Sequence, residues 1–297
     1  MANAFNPTTH KFSTPYLTNA EYKNAPTSID IDNLVFNSSD PEVQDSELAN
    51  VIARASSWID TYCNQILGAT HETETQRARI SGDGYIKFHP RYNPVIALTS
   101  LAYGNPSTQL IDADPSSAWL EDQQVLFPYA YNSSLYTSQG PLQLGGAQAS
   151  GSLVYLKYTY VNGYANTLIA TAVEGDSSLT VTKATGITAG LQMKIYDGMY
   201  SENVTVADNY EFNSLTITLQ EPLIYSHNAG VSISALPPAI KEAAILATTS
   251  MLKIRGDASM TMGIGTQANT ASPDVNTNIG NDMGMAMELL KPYRRIR

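Results

Sequence analysis

The chain has 297 residues, long enough to bury a large core without disulfides, and only 15% of them are charged. Seventeen basic against twenty-seven acidic residues leave a net charge of −10, which excludes the overall cationic footprint of a general nucleic-acid binder. One cysteine, Cys63, excludes an intrachain disulfide and a CxxC zinc site, and no apolar run reaches the roughly eighteen residues of a membrane span, so no membrane association is expected.

Residues 1–39 carry Pro7, Pro15 and Pro26 among Thr, Asn and Ser with no sustained period, and read as an extended arm. Met1 to Pro7 has neither a basic start nor an apolar core, so no secretory signal is expected there. Ser39-Asp40-Pro41-Glu42 is a helix start, with proline in the first turn. The stripe Leu48, Val51, Ile52, Ala55, Ile59, Tyr62 and Ile66 repeats at the helical period, Cys63 falls within the same apolar pattern, and Gly68 closes the helix.

The period then changes to two. Thr73–Ile80 and Tyr85–Phe88 flank the turn-forming Ser81-Gly82-Asp83-Gly84, followed by strands at Val95–Tyr103, Gln124–Phe127 and Ser152–Val161, the last apolar or aromatic on both faces. Residues 168–235 form a unit of their own. Short strands with clean alternation (Leu179 and Val181; Met193 and Ile195; Val204 and Val206; Ile217 and Leu219; Val231 and Ile233) predict a small barrel or sandwich. Pro237-Pro238 opens a second helix with Ile240, Ala243, Ala244, Ala247, Met251 and Ile254 on one face, ended by Gly256. Residues 256–283 have no period and read as a mobile loop, before a short apolar-then-basic terminus from Met285 to Arg297.

Catalytic motifs are missing. His10, His71, His89 and His227 are far apart and lack the i+4 partner of a helical metal site, and there is no GxSxG elbow and no phosphate-binding glycine loop. The acidic pairs Asp30/Asp32 and Asp112/Asp114 stand in turn-forming sequence, where Asp is a common turn residue. No cofactor, metal or catalytic residue is expected. Tyrosine stands out with 18 copies, several between Tyr129 and Tyr164, suiting strands, a protein interface or a sugar-stacking surface. The last seven residues hold four cations, Lys291, Arg294, Arg295 and Arg297, in an otherwise acidic chain.

The segments SELANVIARASSWIDTYCNQIL, RISGDGYIKFHPRYNPVIALTSLAYG, LPPAIKEAAILATTSMLKIRG and ELLKPYRRIR, in that order, resemble the head–tail connector (adaptor) proteins of tailed bacteriophages. TGITAGLQMKIYDG and SENVTVAD also look like β domains inserted in some adaptors. The resemblance covers residues 40–103 and 236–297. It implies an α+β fold: a helical adaptor core of two long helices with short strands and a C-terminal tail, interrupted by a small all-β barrel or sandwich. The core would be residues 40–167 and 236–297, and the inserted domain 168–235. It further implies a structural virion protein and not an enzyme, made in the host cytoplasm and located at the head–tail junction. Such proteins form an oligomeric ring, usually dodecameric, under the portal protein and above a stopper or tail-completion protein, and genomic DNA passes through without sequence-specific binding.

Carried onto this chain, Leu289, Leu290, Lys291, Pro292, Tyr293, Arg294, Arg295, Ile296 and Arg297 would contact the portal or a neighbouring subunit. Leu48, Ile52, Ile59, Ile240, Ala247 and Met251 would stand on the ring-packing helices. The rival from another class is a β-rich carbohydrate- or receptor-binding virion module using the Tyr-rich face. A third reading, a hydrolase using one of the acidic pairs, would lose activity in Asp112→Asn or Asp30→Asn.

Overall fold

The computed structural model describes residues 15–27, 29–32, 34–35, 38–104, 110–121, 124–129, 136–137, 140–141, 151–256 and 273–295. In chain order they form α1 (Asn19–Asn24) and α2 (Pro41–Cys63), then β1 (Thr70–Arg79), β2 (Tyr85–Phe88), β3 (Val95–Gly104), β4 (Leu110–Ala113), β5 (Trp119–Glu121) and β6 (Gln124–Pro128). Next come β7 (Tyr136–Thr137), β8 (Gly140–Pro141), β9 (Leu153–Asn162), β10 (Asn166–Leu168), β11 (Ser178–Thr180) and β12 (Gln192–Tyr196). The series ends with β13 (Glu202–Thr205), β14 (Thr216–Thr218), β15 (Ser232–Ser234), α3 (Pro238–Gly256) and α4 (Pro273–Leu290). The chain divides into two compact units, Met1–Gly68 with Tyr164–Arg297, and Ala69–Gly163.

The expected α+β fold, a helical core with a β domain as its interruption, is overturned: the chain is mostly β. The reason lies in Ala69–Gly163, whose strands are not accessories to helices. Three of them, β1, β3 and β9, are ten residues long, and they form an antiparallel sheet in the order β1-β9-β3-β4. A three-stranded sheet, β2-β6-β5, belongs to the same unit. Ile86, Phe88, Val125 and Phe127 from this sheet and Leu101, Val154, Leu156, Tyr158 and Tyr160 from the larger one fill a single core. The strand expected at Thr73–Ile80 is present as β1, THETETQRAR, but nothing in that sequence shows its weight in the fold. Its only fully buried side chain is Ala78, and the strand is held by backbone pairing to β9 along its whole length. Local alternation marks such a strand but does not tell that it pairs over ten residues into a sheet with a core of its own.

In the other unit, Ser178 to Ser234 does behave as the alternation predicts. β10-β15-β12-β13 make one sheet and β11-β14 a ribbon, with Leu179, Val181, Met193, Ile195, Val206, Ile217 and Ile233 in a common core. The helices of this unit share a separate core. α2 starts at the N-cap Asp40, whose side chain accepts from Glu42 N–H, with Pro41 in the first turn, and ends at Asn64 in the left-handed conformation. Its Leu48, Val51, Ile52, Ile59 and Cys63 pack with Ile240, Ala243, Ala244 and Leu252 of α3.

Two segments read as irregular are ordered parts of that core. Tyr16, Leu17 and Tyr22 of the expected arm are buried in it, and α1 begins with a reciprocal capping box between Thr18 and Glu21. α4 takes up residues 273–283 of the expected loop, of which residues 257–272 lie outside the described residues. Its Asn and Gly content hides a helix that rests on packing: Ala286 and Leu290 are buried, and Asp282 pairs with Lys253 of α3 at 2.6 Å. Lys241 of α3 ties the layers together, with its ammonium 2.5 Å from Glu21, 3.3 Å from Ser232 and 4.4 Å above the Tyr196 ring.

Candidate interaction site

The expected ring-packing positions lie inside the chain's own core. Leu48, Ile52, Ile59, Ile240 and Ala247 are fully buried and Met251 half-buried, and all but Ala247 belong to the core shared by the helices. The terminal segment is different, because it is anchored and partly displayed at once. α4 runs into a 3₁₀ turn, Lys291–Tyr293, entered through Pro292. Leu290 is 0% exposed, and Leu289 and Tyr293 pack on the helical core. Lys291, Pro292 and Arg294 stay exposed; Ile296 and Arg297 lie outside the described residues.

What holds the segment is mostly backbone. Helices leave their last carbonyls without intrahelical partners. Here the Cys63 carbonyl of α2 accepts from Arg295 N–H at 2.9 Å, and the buried Gln65 amide donates to the Tyr293 carbonyl at 2.9 Å. Tyr62 Oη donates to the Met287 carbonyl at 3.2 Å, and the Arg294 guanidinium stands 5.4 Å over the Tyr62 ring. Trp58 stacks on Tyr62 at 5.6 Å, and Tyr293 meets Tyr164 edge-on at 6.4 Å. A cation beside the C-terminal turn of α2 also suits the negative end of the helix dipole.

The N-terminal side of the chain converges on the same turn. Pro15 carbonyl accepts from Asn166, and Tyr16 N–H donates to Ser56 Oγ at 3.1 Å. The Tyr16 hydroxyl donates to Asp60 and accepts from Leu67 N–H at 2.9 Å and Gly68 N–H at 3.3 Å. Burial pushes the Asp60 carboxyl up to about 7, against the downward pull of the Tyr16 and Leu67 hydrogen bonds. Burial, aided by the Asp60 charge, pushes the Cys63 thiol up to about 12, so it is a buried, unreactive thiol.

The other sequence candidates take structural roles. His227 is wholly buried, with Nδ1 2.9 Å from Asp197 and Nε2 2.9 Å from Glu202. Glu202 also accepts from Ile224 and Tyr225 N–H, at 2.9 and 3.1 Å. This clamp joins the loop 197–202 to 224–227, which together display Met199, 90% exposed, with Tyr200, Ile224 and Tyr225. Asp30 closes a turn onto Asp32 N–H and Asp114 caps a turn onto Ser116 N–H, while Asp112 points outward from β4. His71 and His89 are exposed, and His10 lies outside the described residues. Among the described residues no three His, Cys, Asp or Glu side chains are grouped as a metal site.

Of the tyrosines, Tyr158 and Tyr160 are core residues whose hydroxyls donate to Glu74 at 2.9 and 2.6 Å. Tyr155 lies under Arg77, and Tyr131 and the Tyr136 side chain fall outside the described residues. Sequence reasoning missed Tyr16, Asp60 and the His227 clamp. Each depends on partners far along the chain, and a lone Asp within a helix or a lone His gives no local signal. No protein-family model matches the chain, and a search of curated proteins returns no match.

Proposed function

We propose that this chain is a structural protein of a tailed-bacteriophage virion. It forms an oligomeric ring, dodecameric in the likeness of the adaptor proteins, under the portal protein, joins capsid to tail through a stopper or tail-completion protein, and lets genomic DNA pass. The observation that carries the reading is the terminal segment Leu289–Arg295. Its apolar half is built into the helical core and its backbone caps α2, so that its cations are presented at a fixed place on the molecule. A solvated basic tail has no need of such an anchor. The acidic whole fits a conduit, because a negative wall repels the duplex and does not hold it in transit. The proposal assigns the chain no reaction and no cofactor.

The test is the particle mass of the purified protein, alone over a concentration series and mixed with portal-bearing capsids that lack it. A ring, or capture onto the capsids, is expected. A monomer under all these conditions, with no capture, overturns the reading. A second reading, glycan binding, draws on one observation: Trp119, 62% exposed, stacks 6.1 Å from Tyr85. Retention of the full chain on a glycan array, lost in Trp119→Ala, would favour it.

A further inference from the structure

Along α2 the exposed surface changes sign. At its N-terminal end a groove of about 320 Å³ is lined by Val35, Asp40, Glu42, Val43, Ser46, Glu47 and Asn50. Its walls are apolar as well as acidic, Val43 being exposed. At the C-terminal end stand Trp58, Tyr62, Met287 and Arg294, the aromatic, Met and Arg composition enriched at protein interfaces. The middle of the stripe is self-satisfied, since Arg54 pairs with Glu47 at 2.7 Å and Lys23 with Asp45 at 2.5 Å. The ends are not. Among the described residues no cation pairs with Glu42 and no carboxylate pairs with Arg294.

These two ends cannot meet within one molecule. Glu42 and Tyr62 are twenty residues apart on one helix, about 30 Å at 1.5 Å per residue. Arg294 is fixed on the Tyr62 ring by the capping of Cys63, far beyond the reach of its own side chain to Glu42. The complementarity is therefore available between copies and not within one. Because the two surfaces differ, the contact is head-to-tail, and head-to-tail contacts between identical chains generate rings or filaments and not closed two-fold dimers.

We infer that the Trp58–Tyr62–Met287–Arg294 face is a subunit interface of the ring, and that its occupant is a second copy of this chain presenting the Glu42–Val43 groove. The inference rests on the ring reading and names its interface. Arg294 of one copy meets Glu42 of the next, while Tyr62 and Met287 cover Val35 and Val43.

Charge reversal tests it. Glu42→Lys and Arg294→Glu, both at exposed positions, are expected to leave the fold intact by circular dichroism and to weaken self-association at least tenfold each, since like charges face each other. The double variant restores an opposite-charge pair and is expected to recover association to within about threefold of wild type. Single variants that assemble like wild type, or a double variant that fails to recover, overturn this interface and leave the ring reading standing. A wild-type chain that stays monomeric alone and with portal-bearing capsids overturns both.

Discussion

Asp60 is the residue whose setting has the clearest measurable consequence. Its carboxyl is turned inward against Tyr16 and the Leu67 N–H, and burial lifts it from the usual 3.8 to about 7 in the folded chain. The folded state therefore holds the proton more tightly than the unfolded state, where an aspartate titrates near 4. This contribution to stability is full below about pH 4 and is lost as pH rises through about 7. Asp60→Asn keeps an acceptor for Tyr16 and removes the titration. The difference in unfolding free energy between wild type and Asp60→Asn is thus expected to shift by about 2–4 kcal/mol between pH 4 and pH 8, against the wild type at the alkaline end. Urea unfolding at several pH values measures it, and a pH-independent gap would mean that the carboxyl is solvated. Nothing near position 60 in the sequence announces this: the partner Tyr16 is 44 residues away, in a proline-containing segment that lacks periodicity.

At the scale of elements, what could be read from sequence follows from how each element is stabilised. α2, α3 and the strands from Ser178 to Ser234 bury an apolar stripe, and a stripe is visible as period 3.6 or 2. β1 shows in the sequence as a strand, but its pairing to β9 does not, and α4, which rests on its contacts with α3, leaves no local pattern; both depend on a distant partner. The His227 clamp belongs with them, because its imidazole meets partners 30 and 25 residues away. Its energetic weight can be checked directly. Glu202 keeps two backbone N–H donors when the imidazole is removed, but its buried carboxylate loses the ring nitrogen 2.9 Å away. His227→Ala is expected to cost about 3 kcal/mol, the upper end for leaving a buried hydrogen-bonding group without its partner. The readout is urea unfolding, and the exposed Met199 to Tyr225 loops should become protease-sensitive in the same variant.

For the whole molecule, charge is distributed in a way that makes the sign of a salt effect informative. Residues 69–163 carry five cations against seven carboxylates, so most of the net −10 resides in the other unit, although four of that unit's cations fall in its last seven residues. Copies of such a chain repel one another at long range. If association were governed by that repulsion, added salt would screen it and strengthen assembly. If it is governed by the attraction of Arg294 for the Glu42 groove of the next copy, salt weakens it. Surface pairs of this kind are exposed and lose much of their strength as the screening length falls from about 10 Å at 0.1 M to about 3 Å at 1 M. The expected result is a loss of particle mass between 0.05 and 1 M salt in wild type, and a flat or opposite response in Glu42→Lys, where the attraction is gone and the −10 background has been reduced by only two charges. Wild-type assembly that strengthens with salt would place the association energy in apolar contact elsewhere, and the exposed Met199, Tyr200, Ile224 and Tyr225 would then be the surface to substitute next.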